Sequence, residues 1–142
     1  KPDQSMLLVG NGTGLAPLIG IARDALASGH QGPVHLYHGS RFVDGLYLVD
    51  ELRGMEAAYQ NFHYIPCVSG DVEENADGLR PGRADDVAFA DHADLAGWRV
   101  FLCGYPPMVH NAQERSLLAG AQIADIYTDP YELKDLRKIA RT

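Results

Sequence analysis

Apolar positions along this chain fall into two alternating registers. Short continuous runs, bounded by glycine, proline and polar turn residues, read as buried strands at residues 5–10 (SMLLVG), 33–39 (PVHLYHG), 62–69 (FHYIPCVS), 98–104 (WRVFLCG) and 123–129 (IADIYTD). Between them lie stretches of helical period at residues 18–29, 47–59, 84–92 and 107–120. Gly29 closes the first, Leu48, Leu52 and Met55 form the apolar stripe of the second, and a proline opens the fourth. The acidic, glycine- and proline-bearing residues 70–82 read as a loop, and PYELKDLRKIA near the end reads as a closing helix. Pro66 inside the third strand suits an edge position, where a missing N–H is tolerated.

Strands that alternate with helices imply right-handed crossovers and a parallel sheet covered on both faces. The expectation is an α/β domain of three layers, α/β/α, with a five-stranded parallel sheet in the order 3-2-1-4-5, spanning all of residues 1–142. Ligands of such sheets settle at the carboxyl ends of the strands, where the winding direction reverses. The residues that matter for function are therefore those at 10–17, 39–44, 69–71 and 103–108.

Composition narrows the classes. With 142 residues, 46% hydrophobic and 22% charged, the chain has the make-up of one globular domain. A net charge of −7 and the lack of any Lys/Arg cluster argue against a nucleic-acid partner. Cys67 and Cys103 are far apart and in no C-x-x-C, which argues against a disulfide framework, zinc or an iron–sulfur centre in this chain. His35 and His38, three apart on a strand, face opposite sides of the sheet, and His30, His63, His92 and His110 read as scattered, so no metal site is expected. Trp98 reads as a packing residue. Without an apolar run of about 18 residues or a signal peptide, a cytoplasmic protein with no membrane partner is expected. The absence of an initiating Met points to a domain of a longer protein.

The first strand end, LLVGNGTGLAPLIGI, carries Gly10, Gly12 and Gly14, which let backbone N–H groups approach a ligand closely. The helix beginning near Pro17 offers an N-terminus suited to an anion such as a pyrophosphate. The spacing is neither G-x-G-x-x-G nor a P-loop, and a tight turn needing glycine for geometry alone is the plain alternative. The Thr13 hydroxyl, between two glycines, is available to a polar ligand group. In CGYPPMV, a thiol at a strand tip is followed by a glycine and two prolines. No base neighbours Cys103, so it does not read as a nucleophile.

The pair is more specific than either part. GNGTGLAP, followed by LCGYPPMV, resembles the pyridine-nucleotide-binding domain of the ferredoxin–NADP reductase superfamily, above all NADH-dependent oxygenase reductase components and CDP-6-deoxyglucoseen reductase-like proteins. LYHGSR, LYLVDEL, YIPCVSGD and ADIYTDPYE follow the same family order, so the likeness covers essentially the whole chain. The resemblance implies that Gly10, Gly12, Thr13 and Gly14 line the pyrophosphate and nicotinamide end, with Pro17 starting the helix. It implies that Cys103 stands beside the nicotinamide ring at the hydride-transfer position, with Gly104, Pro106 and Met108 shaping the floor; Thr13 shares that catalytic end. FAD is expected on a separate barrel of the same full-length chain, and electrons are expected to pass on to an iron–sulfur centre, such as a [2Fe-2S] cluster, or to an oxygenase. Tyr131 falls near the family's C-terminal aromatic.

The same likeness puts the adenosine half on Ser40, Arg41 and Ser69. NADPH-dependent relatives tend to carry a Ser-Arg pair after the third strand, whereas this chain has Ser69-Gly70-Asp71, with Asp44 across the pocket. A carboxylate repels a 2′-phosphate and accepts a ribose 2′-hydroxyl, so NADH is expected over NADPH. The alternatives are a non-catalytic dinucleotide-sensing module, which would bind tightly without a flavoprotein partner, and a self-sufficient dehydrogenase. The latter lacks its Tyr-x-x-x-Lys pair, since Asp135 holds the lysine position after Tyr131. Replacing Asp71 with arginine is expected to relax NADH-over-NADPH discrimination, measured as the ratio of the two dissociation constants; an unaltered ratio removes Asp71 from the account.

Overall fold

The computed structural model describes residues 3–12, 15–42, 46, 48–70 and 78–130. In chain order the elements are β1 (Met6–Asn11), α1 (Leu15–Ala27), β2 (Val34–Ser40), α2 (Val49–Ala58), β3 (Phe62–Val68), β4 (Arg80–Pro81), α3 (Ala84–Asp91), β5 (Arg99–Gly104), α4 (Pro106–Leu118) and β6 (Ile126–Pro130). A 3₁₀ turn at Ile123–Asp125 leads into β6, in a stretch the apolar pattern assigns wholly to strand. Every strand pair is parallel, in the order β4-β3-β2-β1-β5-β6.

Among the described residues the sheet therefore has six strands, not the five expected. The addition is β4, where Arg80 and Pro81 pair with Cys67 and Val68 in a segment expected to be loop. Two residues, one of them proline, carry no periodic signal. The other five keep the expected order. Pro66 is not on the edge strand its sequence suggested, because β4 lies outside β3, yet its missing N–H falls one residue before the β4 pairing begins. The Gly82 N–H donates to the Val68 carbonyl at 2.8 Å, so backbone alternation turns Pro66's nitrogen to the same outer side, before β4 begins.

Both faces of the sheet are covered, which explains why the central strand is a continuous apolar run: Met6, Leu7, Leu8 and Val9 are all buried. Leu7 and Val9 pack with Tyr37, Val100 and Leu102 against Val87 and Ala88 of α3 and Val109 and Ala112 of α4. Met6 and Leu8 pack with Leu36 and Phe62 against Leu15, Leu18, Ile19, Ala22 and Leu26 of α1 and Leu52 of α2. Buried positions 15, 18, 19, 22 and 26 follow the helical period and set α1's inward stripe. In α2 the expected stripe is partly wrong. Leu48 lies outside the helix in a left-handed conformation (φ 64°) and is 42% exposed, so Leu52 carries the burial, with Met55 beside it.

The histidines are less scattered than their sequence positions suggest. His35 and His63 sit opposite each other in register and stack at 4.7 Å, and His92 lies 4.6 Å from His35. Trp98 packs on His92 at 4.8 Å and on His35 at 5.7 Å. The Tyr37 hydroxyl donates to Asp91 Oδ2 at 2.7 Å, and Asp91 takes two further hydrogen bonds from Arg80. With the phenolic proton given to Asp91, His92 Nε2 donates to the Tyr37 oxygen at 3.0 Å. His35 and His63 stack nearly face to face and His92 is tilted against His35; among the described residues no group of three or more His, Cys, Asp or Glu could hold a metal. His38 points to the opposite face, as the spacing requires, and bonds the Gly12 carbonyl.

Burial, aided by His92 and His63, pulls the His35 pKa down to about 4, against a weaker opposing pull from Asp91. The unfolded chain, with an ordinary histidine pKa, binds more protons between that value and about 6.5. Stability is therefore complete above about pH 6.5 and is lost as pH falls toward about 4. Urea unfolding should lose on the order of 2 kcal/mol through this window on account of His35. His35→Leu should flatten the pH profile; a profile as steep as the parent's would show that the ring stack is not responsible.

Candidate nucleotide site

The chain winds toward β3 through α1 and α2 on one face, then returns to β5 and β6 through α3 and α4 on the other. The reversal falls between β1 and β5, whose ends meet in register at Gly10 and Cys103. A cavity of about 620 Å³ opens at these strand ends, a volume in the range of small-molecule cofactor sites. Asn11, Gly12, Gly39, Ser40, Arg41, Ser69, Arg83, Ala84, Asp85, Tyr105, Pro107 and Met108 line it.

Close approach of bare backbone builds the site. Gly12 takes φ 56°, a left-handed conformation that glycine adopts without cost. Its carbonyl accepts a hydrogen bond from His38 Nε2 at 2.9 Å, so His38 is held as the Nε2–H tautomer. Burial lowers the His38 pKa, which keeps the ring neutral beneath the loop. Gly104 has φ 139°, and a Cβ there would be driven into the Asn11 side-chain oxygen. That oxygen accepts the Tyr105 N–H at 3.1 Å, tying the end of β1 to the entry of α4. At Gly39 a Cβ would stand 2.9 Å from the Ala84 Cβ, so the absence of a side chain lets the start of α3 reach the cavity wall.

The loops after β2 and β3 are zipped together. The Ser69 N–H donates to the Ser40 carbonyl at 3.0 Å and the Gly70 N–H to the Arg41 carbonyl at 2.9 Å. The Ser40 hydroxyl closes its own turn, donating to the Phe42 carbonyl at 2.7 Å and accepting the Phe42 N–H at 3.3 Å. The Arg41 guanidinium lies over the Phe42 ring, 5.5 Å from its centre. Arg83 is the second cation on this rim and Asp85 the buried anion beside it.

Of the residues singled out from the sequence, Gly12, Ser40, Arg41, Ser69 and Met108 line this cavity. Pro106 begins α4, but its neighbour Pro107 is the proline on the cavity wall. Pro17 lies in the first turn of α1, which begins earlier, at Leu15. Gly10 is an ordinary buried strand residue paired with Cys103. Cys103 itself is turned to the α1 face, among Leu15 and Leu18, next to the cavity and not lining it. Burial, with the Asp129 carboxylate 3.9 Å away, pushes its thiol up to about 11, so it is a neutral S–H and no nucleophile. Thr13, Gly14, Asp44, Asp71 and Tyr131 lie outside the described residues, as does the expected closing helix beyond Pro130.

Sequence reasoning included Asn11 and Tyr105 only within the strand-end stretches 10–17 and 103–108, without assigning them a role, and passed over Arg83 and Asp85. Asn11 had a signal, an amide at the strand end inside the glycine run. Arg83 and Asp85 had none, because only the return of α3 across the sheet brings them to the cavity.

A parallel α/β sheet with a glycine-bared, cation-rimmed cavity at its winding reversal defines a nucleotide-binding domain. Residues 8–114 match the family model described as "Oxidoreductase NAD-binding domain", and the chain belongs to that family, within the ferredoxin-reductase superfamily. It is 38% identical over 132 residues to the ferredoxin–NAD(P)(+) reductase component of a naphthalene 1,2-dioxygenase system from Pseudomonas putida, covering 92% of this chain and 39% of that protein. It is 41% identical over 104 residues to the reductase component of naphthalene 1,2-dioxygenase/salicylate 5-hydroxylase systems from a Ralstonia species, covering 73% of this chain and 31% of that one. Among solved structures, a cytochrome P450 reductase of Amycolatopsis matches with a TM-score of 0.84 at 32% identity, over 89% of this chain and 37% of that one. The chain thus spans between 31% and 39% of the length of these two curated relatives.

Gly104→Ala should cost about 2 kcal/mol or more, because it combines a strained φ with an overlap onto Asn11. Asn11→Ala in the same chain should recover part of that loss, since it removes the overlap and leaves the strain. Chemical denaturation of the four proteins tests this, and strict additivity would refute the contact.

Proposed function

We propose that this chain is the NAD(P)H-binding domain of a flavin-dependent oxidoreductase, placing reduced nicotinamide for hydride transfer to FAD carried elsewhere in the full-length protein. Electrons then pass to an iron–sulfur centre or an oxygenase partner. The observation that carries this reading is the cavity between the Asn11–Gly12 and Tyr105–Met108 turns, where bare backbone stands next to Cys103 at the winding reversal. The relatives named as reductase components of oxygenase systems support the electron-transfer role.

A dinucleotide fits what this chain offers. Its phosphates are anionic, and Arg41 and Arg83 stand on the rim of a protein whose net charge is −7. Gly12 and Gly39 leave room for main-chain contacts along the ligand. Ser40, Arg41 and Ser69 would take the adenosine half, and the Gly12–Tyr105 end would take the nicotinamide half. When bound, nicotinamide and flavin supply the redox chemistry, and the protein supplies placement. On that division of labour Asn11 fixes the spacing of the two turns. His38 props the Gly12 carbonyl from below, and Cys103 fills the space under the reacting end as a compact, uncharged group. NADH is the preferred donor in this reading, and a [2Fe-2S] centre belongs to another part of the full-length protein.

The test is Cys103→Ala in the flavin-bearing full-length protein, followed by rapid-mixing flavin reduction and by nucleotide titration. Flavin reduction should slow by about tenfold or more, while nucleotide affinity changes by less than about threefold. Equal losses in both would remove the positioning role from Cys103. Failure of the parent to bind NADH or NADPH would end the reading as a whole.

A further inference from the structure

Asp85 is buried, with 2% of its side chain exposed, yet it lines the nucleotide cavity. Both carboxylate oxygens are engaged. Oδ1 accepts from Arg83 Nε at 3.2 Å, and Oδ2 accepts from Asn111 Nδ2 at 3.4 Å, with Arg115 Nη1 at 4.0 Å. Asn111 and Arg115 belong to α4, so Asp85 is pinned between two helices and cannot follow a moving partner. Arg83 is its opposite, with a side chain 56% exposed on the cavity rim.

We propose that Asp85 sets the nucleotide preference by acting through Arg83: the fixed carboxylate holds this guanidinium, so the adenosine end of the cavity disfavours a ribose phosphate monoester and accepts a neutral ribose. The inference rests on the dinucleotide reading above and names the residue pair that deepens it. A free arginine at this position would be a strong phosphate ligand, since guanidinium forks and phosphate oxygens match in geometry. Committed through Nε to a buried carboxylate, Arg83 presents less of its charge and its fork. A phosphate drawing it away would leave Asp85 buried with less compensation, and would itself approach an anion that cannot withdraw. A ribose hydroxyl meets neither cost. Asp85 is thus a positioning residue.

The arrangement also makes the test clean. Removing the Asp85 charge does not strand Arg115, which keeps an ion pair to Asp86 at 2.7 Å. The experiment titrates the 142-residue chain with AMP and, separately, with adenosine 2′,5′-bisphosphate, two probes that differ by the one phosphate at issue. Chemical-shift changes read the two dissociation constants. Asp85→Asn should raise the preference for the bisphosphate by about tenfold, the worth of one charge-assisted phosphate contact. Asp85→Glu should return the preference to the parent's value. Arg83→Gln in the Asp85→Asn chain should cancel the gain. General damage to α3 would weaken both probes together and leave their ratio unmoved. An unmoved ratio in Asp85→Asn overturns the proposal, and so does a gain that survives loss of the Arg83 charge. If the parent chain binds neither probe, the dinucleotide reading itself fails, an outcome distinct from binding with an unaltered ratio.

Discussion

The hydrogen bond from the Tyr105 N–H to Asn11 Oδ1 joins two strand ends whose neighbouring elements lie far apart in the chain. It is possible only because Gly104 has no side chain, since the Asn11 amide occupies the volume that a Cβ would need. Parallel pairing of Gly10 with Cys103 brings β1 and β5 alongside, and the amide then sets how far their turns stand apart. The width of the cavity between the glycine turn and the start of α4 follows from that contact. So does the position of Cys103, which sits one residue before Gly104 on the other face of the sheet.

Charge is arranged against the bulk of the molecule. The chain is acidic overall, but Arg41 and Arg83 stand at the rim of the cavity. Neither is simply a cation open to solvent. Arg41 rests on the Phe42 ring and Arg83 bonds Asp85. Beneath the glycine turn, His38 is held neutral by burial, and Cys103 is kept as a thiol by burial and by Asp129. Neither of these two side chains lines the cavity itself, whose charged lining residues among those described are Arg41, Arg83 and Asp85.

Apolar runs revealed the five longer strands, most clearly β1, which is covered on both faces and apolar from Met6 to Val9, and least clearly the edge strand β6, whose Tyr127, Thr128 and Asp129 are exposed. The helices were equally legible in α1, where the burial period is regular. The reading failed where local signals are short or misleading. β4 has two residues and a proline, Leu48 looks like a core leucine but takes a left-handed turn before α2, and Ile123 opens a 3₁₀ turn where its composition suggests strand. The histidines misled for another reason. Their positions are remote in sequence, and only the β2–β3 register with the end of α3 stacks His35, His63 and His92.

The sequence by itself determined the architecture and one side of the site. Glycines permit and prolines restrict backbone geometry locally, so the turn at Gly12, the turn at Gly104 and the proline start of α4 were legible without knowledge of the fold. Tertiary structure alone decided what those turns face. Arg83, Asp85 and Ala84 reach the cavity because α3 crosses back over the sheet and seats its first turn on Gly39, and Asn111 and Arg115 reach Asp85 because α4 packs beside α3. Such contacts join positions separated by tens of residues through helix packing, which depends on the whole core and leaves no pattern in any local stretch of chain.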